Sequence, residues 1–177
     1  MLRARLRQIT QLEAPESHAA LIEALREEMG HSISTLQSEY LPARYTCVVH
    51  AFHLVEDPTY VQVAASGLGF TFAGPEFITF LLANALLAPR KEDQVVGNDL
   101  VFYFENETFR HVGRMLTPTR VVSKWGTGGL YEHEVWEVPS TYGGEAHFYG
   151  GPDENESFEL FVKYAESKGF EFSAPDA

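Results

Sequence analysis

Cys47 is the residue whose chemistry is easiest to name, because it is the only cysteine among the 177 residues. It follows Thr46, a good helix N-cap residue, and begins an apolar run that predicts a helix from about Cys47 to Val55. Backbone N–H groups and the helix dipole favour negative charge at such a position, so we expect a bias toward the thiolate. A buried structural thiol is the alternative interpretation.

His111 is the candidate base for this thiol. The β-forming runs 99–104 and 109–116 flank a turn at 105–107 and predict a hairpin, with His111 near the start of the return strand. If that strand packs beside the start of the Cys47 helix, the imidazole takes the thiol proton and the Cys47 amide is available as an oxyanion donor. A plain strand histidine is the alternative.

The third catalytic position is expected on the next predicted strand, 120–124. Ser123 is our candidate because its hydroxyl can accept a hydrogen bond from the far N–H of His111, while Lys124 points to the opposite face. His133 or Glu134 is the reserve choice.

Aromatic side chains near these positions are candidate substrate contacts. Tyr45 lies two residues before the cysteine, and Trp125 precedes a glycine-rich loop at 126–129. Tyr45 is a candidate donor to the oxyanion, with core packing as the alternative. Trp125 is predicted to line the cleft, with capping of the sheet as the alternative. We expect no cofactor. The loop lacks the lysine and the strand-to-helix context of a phosphate cradle, which argues against nucleotide binding. We expect no metal, because His50 and His53 share an apolar helix with few carboxylates near them.

The hairpin sequence resembles a known family. Cys47 at the start of a helix, followed by Asn98-Asp99-Leu100-Val101-Phe102-Tyr103 and then by His111-Val112-Gly113-Arg114, is similar to the NlpC-type papain-like cysteine peptidases and amidases. The likeness covers roughly residues 44–125. It implies a helix that begins with the nucleophile and packs on a small antiparallel sheet.

The resemblance also implies roles for individual residues. Cys47 matches the nucleophile and His111 the base. Ser123 stands where the family more often has a histidine, Thr46 stands where Asn or Asp is usual, and Asn98 replaces the usual glycine of the strand motif. The implied activity is hydrolysis of an amide bond in a peptide or related substrate, through a thioester acyl-enzyme.

Two other functions share this pattern. Acyl or amide transfer, or deamidation by an effector, uses the same acyl-enzyme with a different acceptor. A non-enzymatic binding, immunity or regulatory protein on a decayed papain-like scaffold is the alternative outside enzymology. Its docking surface for a protein partner would be the acidic C-terminal region.

Composition limits the partners. The formal net charge of -12 argues against nucleic acid, because phosphate binding needs a basic surface. The longest apolar stretch, 77–88, is too short to span a bilayer, and no apolar segment of signal-peptide length follows the basic N-terminus. We therefore expect no membrane association and a cytoplasmic location, with export by another route left open. A single cysteine excludes an intramolecular disulfide.

The order of elements, helices first and then a meander of short strands, predicts an α+β class with an antiparallel sheet. We expect one papain-like domain, with an N-terminal helical extension over 1–43, a catalytic core over 44–150 and a C-terminal helix within 151–177. One helix or two are predicted over 16–38, and loops or turns at 41–44, Gly67 and Gly69. Further helices are predicted at 75–88 and 158–168, and further short strands at 135–138 and 146–149. The segment 60–65 is ambiguous.

Overall fold

The computed structural model describes residues 1–41, 44–65 and 72–172. The expected turns at Gly67 and Gly69, and part of the loop expected at 41–44, lie outside the described residues. Within these ranges the chain is an α+β protein with N-terminal helices, a seven-stranded antiparallel sheet and a C-terminal helix. The predicted fold class is confirmed at this level.

The described chain contains six α-helices and seven strands. The helices are α1 (Leu2–Leu12), α2 (His18–Met29), α3 (Cys47–Ala51), α4 (Pro58–Ala65), α5 (Pro75–Ala83) and α6 (Glu154–Ser167). The strands are β1 (Ser34–Leu36), β2 (Pro89–Arg90), β3 (Leu100–Glu105), β4 (Thr108–Met115), β5 (Arg120–Lys124), β6 (Leu130–Glu134) and β7 (Glu145–Tyr149).

The predicted hairpin is the centre of the sheet, whose strand order is β1-β6-β5-β4-β3-β7-β2. Tyr103 pairs with His111 across β3 and β4. His111 therefore lies in the middle of β4, and the expectation that it lies near the start of the return strand is wrong. Only Arg114 and Met115 of β4 pair with β5, so the β4–β5 ladder stops short of His111.

The sheet is covered on both faces. Successive side chains of a strand point to opposite sides, and each side packs against helices. On one face, called the α3 face here, Leu100, Phe102 and Val112 pack with α3, α5 and α6. On the other, called the α1 face, Val101 and Tyr103 pack with α1 and α2. Five consecutive residues of β3 are buried, as expected for a strand covered on both sides.

Several predicted boundaries are wrong for local reasons. Gly30 ends α2 in the left-handed conformation, with φ of 65°, and β1 follows, so no helix continues to residue 38. The segment 135–138, predicted as a strand, contains a turn, and the unpredicted β6 precedes it. The ambiguous segment 60–65 belongs to α4.

Within the described ranges, no helix has both the length and the apolarity needed to cross a membrane.

Candidate functional site

Cys47 is the first residue of α3, as the sequence predicts. Thr46 is the N-cap, and its hydroxyl accepts a hydrogen bond of 3.2 Å from the Val49 N–H. The helix packs on β4 and β5. Cys47 is partly exposed and contacts the core of the α3 face. The local sequence thus places the thiol at a helix start above the two central strands.

The surroundings of the sulfur act in opposite directions on its ionisation. Burial has the largest effect and raises the pKa of the Cys47 thiol. Backbone N–H groups of Val112, Val48 and Cys47 itself donate toward the sulfur and lower the pKa, as does the charge of Lys124. Because burial prevails, the expected bias toward the thiolate is wrong for the resting protein. The favourable contributions of the helix start are present but smaller.

His111 lies on the α1 face, opposite to the face that carries Cys47. Its ring stacks on Tyr142, with centroids 3.9 Å apart and planes inclined by 12°. The residue is 1% exposed, and its Nε2 is buried with no hydrogen-bond partner. Burial, then the charges of His133, Lys124 and His50, hold its pKa well below the ordinary histidine value.

Cys47 and His111 therefore lie beside the same part of β4. Val112, next to His111 in the chain, supplies an N–H to the Cys47 sulfur. Among the described residues, however, no hydrogen bond links the thiol to the imidazole. A catalytic dyad of these two residues stays a prediction.

Ser123 contacts a different histidine from the one the sequence suggested. Its Oγ lies 2.8 Å from His133 Nε2 and accepts a 2.9 Å hydrogen bond from Trp125 Nε1. His133 Nδ1 lies 2.7 Å from the Glu134 carbonyl oxygen, which can only accept, so Nδ1 carries the proton of a neutral ring. Ser123 must then donate to His133 Nε2. In the described part of the chain it has no hydrogen bond to His111.

Lys124 is the residue that sequence reasoning passed over. It follows Ser123 on β5 and points to the opposite side, the α3 face, where it is 0% exposed. Its Nζ donates a 2.6 Å hydrogen bond to the Gly126 carbonyl oxygen and lies 5.3 Å from the centre of the Tyr45 ring. Burial lowers its pKa to about 8, and a charged Cys47 opposes that effect. The alternation of side chains along β5 was the feature of the sequence that could have placed Lys124 on the α3 face.

The two candidate substrate contacts are both buried. Tyr45 is 6% exposed, and its hydroxyl shares a 2.8 Å hydrogen bond with Ser38 Oγ. Trp125 is 0% exposed and packs on Tyr131, with ring centroids 4.5 Å apart. Their roles as substrate contacts stay predictions.

A concave surface lies at the far end of α3. A cavity of about 430 Å³ is lined by side chains that include His50, His53 and Glu56, but not Cys47. Burial, followed by the charges of His53, Arg114 and Lys124, lowers the pKa of His50 to about 4. Over the described ranges, no three His, Cys, Asp or Glu side chains are grouped so as to hold a metal ion.

Comparison of the chain with protein-family models, curated proteins and solved structures found no match. The functional interpretation therefore depends on the residues and geometry of this chain alone.

Proposed function

We propose that the protein is a cysteine-dependent hydrolase of amide bonds, a divergent relative of the NlpC-type papain-like peptidases and amidases, with Cys47 as the nucleophile. The observation that carries the proposal is the placement of this sulfur. It sits at the start of α3, partly exposed, with N–H donors from its own helix and from Val112 of β4. Donors of this kind stabilise a thiolate, and near the reacting carbonyl they stabilise an oxyanion.

The proposed reaction passes through a thioester. The thiol proton moves to a neighbouring base, and the sulfur bonds to the carbonyl carbon as the carbonyl electrons move to oxygen. The oxyanion then re-forms the carbonyl, the carbon–nitrogen bond breaks, and the leaving amine takes up the proton. Water subsequently attacks the thioester, releasing the acid and restoring the thiol.

The raised thiol pKa gives this proposal a definite pH dependence. Burial keeps Cys47 protonated at neutral pH, so the fraction of thiolate increases as the solution becomes alkaline. We therefore expect acylation of Cys47 to accelerate from pH 7 to pH 9.

The decisive experiment uses p-nitrophenyl acetate as an acyl donor. Release of nitrophenolate would show a burst equal to the enzyme concentration and then a steady turnover, and mass spectrometry would place one acetyl group on Cys47. Cys47→Ala removes both phases while circular dichroism stays unchanged. His111→Gln, measured in parallel, tests whether the sequence-predicted base contributes. Absence of acetylation at Cys47 between pH 7 and pH 9 would contradict the hydrolase proposal.

A second candidate function is supported by a different observation. His111, Ser123 and His133 are each at most 1% exposed, which is unlike a set of groups that must reach a substrate. We propose as the alternative that the scaffold is a non-enzymatic binding protein, of the immunity or regulatory kind, in which these residues stabilise the fold.

The same acylation experiment separates the two functions. A binding protein would be acetylated at Cys47 once, without turnover, and no faster than an ordinary buried thiol. Its candidate docking surface is the start of α6, where Asp153, Glu154 and Glu156 are exposed next to one another. The partner would be a protein with a basic surface.

A further inference from the structure

We propose that Lys124 is the partner of Cys47 in proton transfer, accepting the thiol proton and then stabilising the thiolate as its counter-ion. The inference rests on the proposed role of Cys47 as nucleophile. It assigns to Lys124 the part that the sequence pattern gave to His111.

The first argument is the position of the two side chains. Strand alternation puts Lys124 on the α3 face of β5, opposite to Ser123, and α3, which begins with Cys47, packs on β5. The ring centre of Tyr45, two residues before the cysteine, lies 5.3 Å from Lys124 Nζ, so the ammonium group lies near the start of α3. His111 is on the other face of the sheet, against Tyr142.

The second argument is the cost of burying a lysine. Lysine is almost never fully buried unless its charge is paired. Lys124 is 0% exposed, yet its hydrogen bond is to the neutral Gly126 carbonyl, and within the described ranges it has no ion pair with a carboxylate. A neutral carbonyl and an aromatic face offset only part of the desolvation of an ammonium group.

The third argument is the identity of the neighbouring groups. The titratable side chains that interact with Lys124 are Cys47 and His50 of α3, His111 of β4, and Tyr45. The two histidines cannot provide negative charge. The Tyr45 hydroxyl is engaged by Ser38.

A charged pair on the same face is formed by Arg120 and Glu132, whose Nε and Oε1 atoms lie 2.9 Å apart. Cys47 is therefore the described neighbour best able to supply an anion to Lys124.

The proposed step conserves atoms and charge. Burial increases the fraction of Lys124 that is a neutral amine, and in that form the amine accepts the proton from the Cys47 thiol, which leaves a thiolate and an ammonium group. When the thiolate has bonded to the carbonyl carbon and the leaving amine departs, the ammonium group returns that proton to the amine. Lys124 is then neutral and ready to accept a proton from the water that attacks the thioester.

The test measures the rate of Cys47 alkylation by iodoacetamide from pH 6 to pH 10, which requires no substrate. Lys124→Met keeps most of the length of the side chain and removes its charge. We expect its thiol pKa to rise by at least about one unit, so that alkylation at pH 8 slows about tenfold. Lys124→Arg retains a cation and should recover part of the rate. Lys163→Met, an exposed site on α6, is the matched control and should not change the profile.

A Lys124→Met profile that overlays the wild-type profile would overturn the proposal. If that variant does not fold, the reciprocal measurement applies, because a thiolate that stabilises the ammonium must raise the lysine pKa. Carbon-13 labelling of lysine side chains follows the titration of Lys124 by NMR in wild type and in Cys47→Ala. A pKa that is lower in Cys47→Ala supports the pair, and an unchanged pKa excludes it.

These readouts remain separate from the hydrolase test. A shifted profile without turnover of p-nitrophenyl acetate would keep the Cys47–Lys124 pair and remove the hydrolase. Turnover with an unshifted profile would keep the hydrolase and remove Lys124 as its proton partner.

Discussion

Ser123 Oγ and His133 Nε2 lie 2.8 Å apart on the α1 face. This hydrogen bond joins the neighbouring strands β5 and β6. Trp125 Nε1 donates to the same serine oxygen, and His133 Nδ1 donates to a backbone carbonyl. Each polar atom in this short chain has a partner. Buried networks that are fully satisfied make a core rigid, whereas removal of one member leaves the others unpaired.

Substitution of Ser123 by alanine is therefore expected to lower stability and leave the thiol chemistry unchanged. It removes the donor to His133 and the acceptor of Trp125, so we expect a loss of about 1–3 kcal/mol in the free energy of unfolding. Urea denaturation gives the stability, and iodoacetamide labelling gives the reactivity of Cys47. The matched control is Thr127→Ala at an exposed loop position. A clear fall in the labelling rate of Ser123→Ala would instead support the catalytic role first predicted for this serine.

Acid is expected to destabilise the fold through His133. Burial lowers its pKa in the folded protein to about 4, whereas the unfolded chain has an ordinary value near 6.5. The unfolded state binds the proton more tightly, so this stabilisation is complete above about pH 6.5 and falls as the pH is lowered toward 4. Between pH 7.5 and pH 5 the loss from this one group is roughly 2 kcal/mol.

The measurement is the free energy of unfolding in urea at pH 7.5, 6 and 5. His133→Gln should lose less stability over this interval than wild type does, whatever its stability at pH 7.5. His147→Gln, at an exposed position, should show the wild-type slope. Equal slopes for wild type and His133→Gln would contradict the assignment.

The sequence predicts the central part of this fold well because the relevant patterns are local. The run of β-forming residues in β3, the turn after it and the N-cap at Thr46 depend on near neighbours in the chain, and each is observed. Asn98, just before β3, adopts the left-handed conformation, with φ of 72°. Asparagine tolerates that region better than most residues.

What the sequence does not provide is the face of the sheet on which each side chain lies relative to α3. His111 and Val112 differ by one residue, yet that difference puts the imidazole on the α1 face and leaves a backbone N–H for the sulfur. The number of residues between Cys47 and His111 does not predict the face of the sheet on which the imidazole lies. Lys124 is missed for a different reason, because a lysine in a strand is ordinarily interpreted as an exposed residue.

Arg114 is expected to be the most sensitive charged residue of the α3 face. Its guanidinium donates to the carbonyl oxygens of Ala51, Asn98 and Pro152 at distances of 2.7 to 3.0 Å, which ties together the end of α3, the start of β3 and the start of α6. Burial lowers its pKa to about 10, so it remains charged at neutral pH.

Substitution of Arg114 by methionine leaves these carbonyl groups without donors, and we expect a loss of at least about 3 kcal/mol in the free energy of unfolding. Thermal and urea denaturation measure the effect. Arg110→Met removes a cation from an exposed position of the same strand and should change stability by less than about 0.5 kcal/mol. Similar losses for the two variants would show that charge alone, and not the donated hydrogen bonds, explains the effect.

The last prediction concerns the cover over His111. Arg3 of α1 donates to the carbonyl oxygens of Val138, at 3.2 Å, and of Gly143, and its guanidinium lies 5.2 Å from the Trp136 ring centroid. These contacts hold the segment 136–143, from which Tyr142 stacks on His111. Because one side chain fixes both ends of the segment, Arg3→Met should loosen it while α1 stays helical.

Hydrogen–deuterium exchange followed by mass spectrometry measures this directly. We expect faster exchange over 138–143 in Arg3→Met and a loss of about 1–2 kcal/mol in the free energy of unfolding. Arg7→Met removes an exposed arginine from the same helix, whose side chain bonds only to Gln11 among the described residues, and should leave that exchange unchanged. If the two variants exchange alike over 138–143, Arg3 does not hold the segment, and the stacking of Tyr142 on His111 must be maintained by packing within the α1 face.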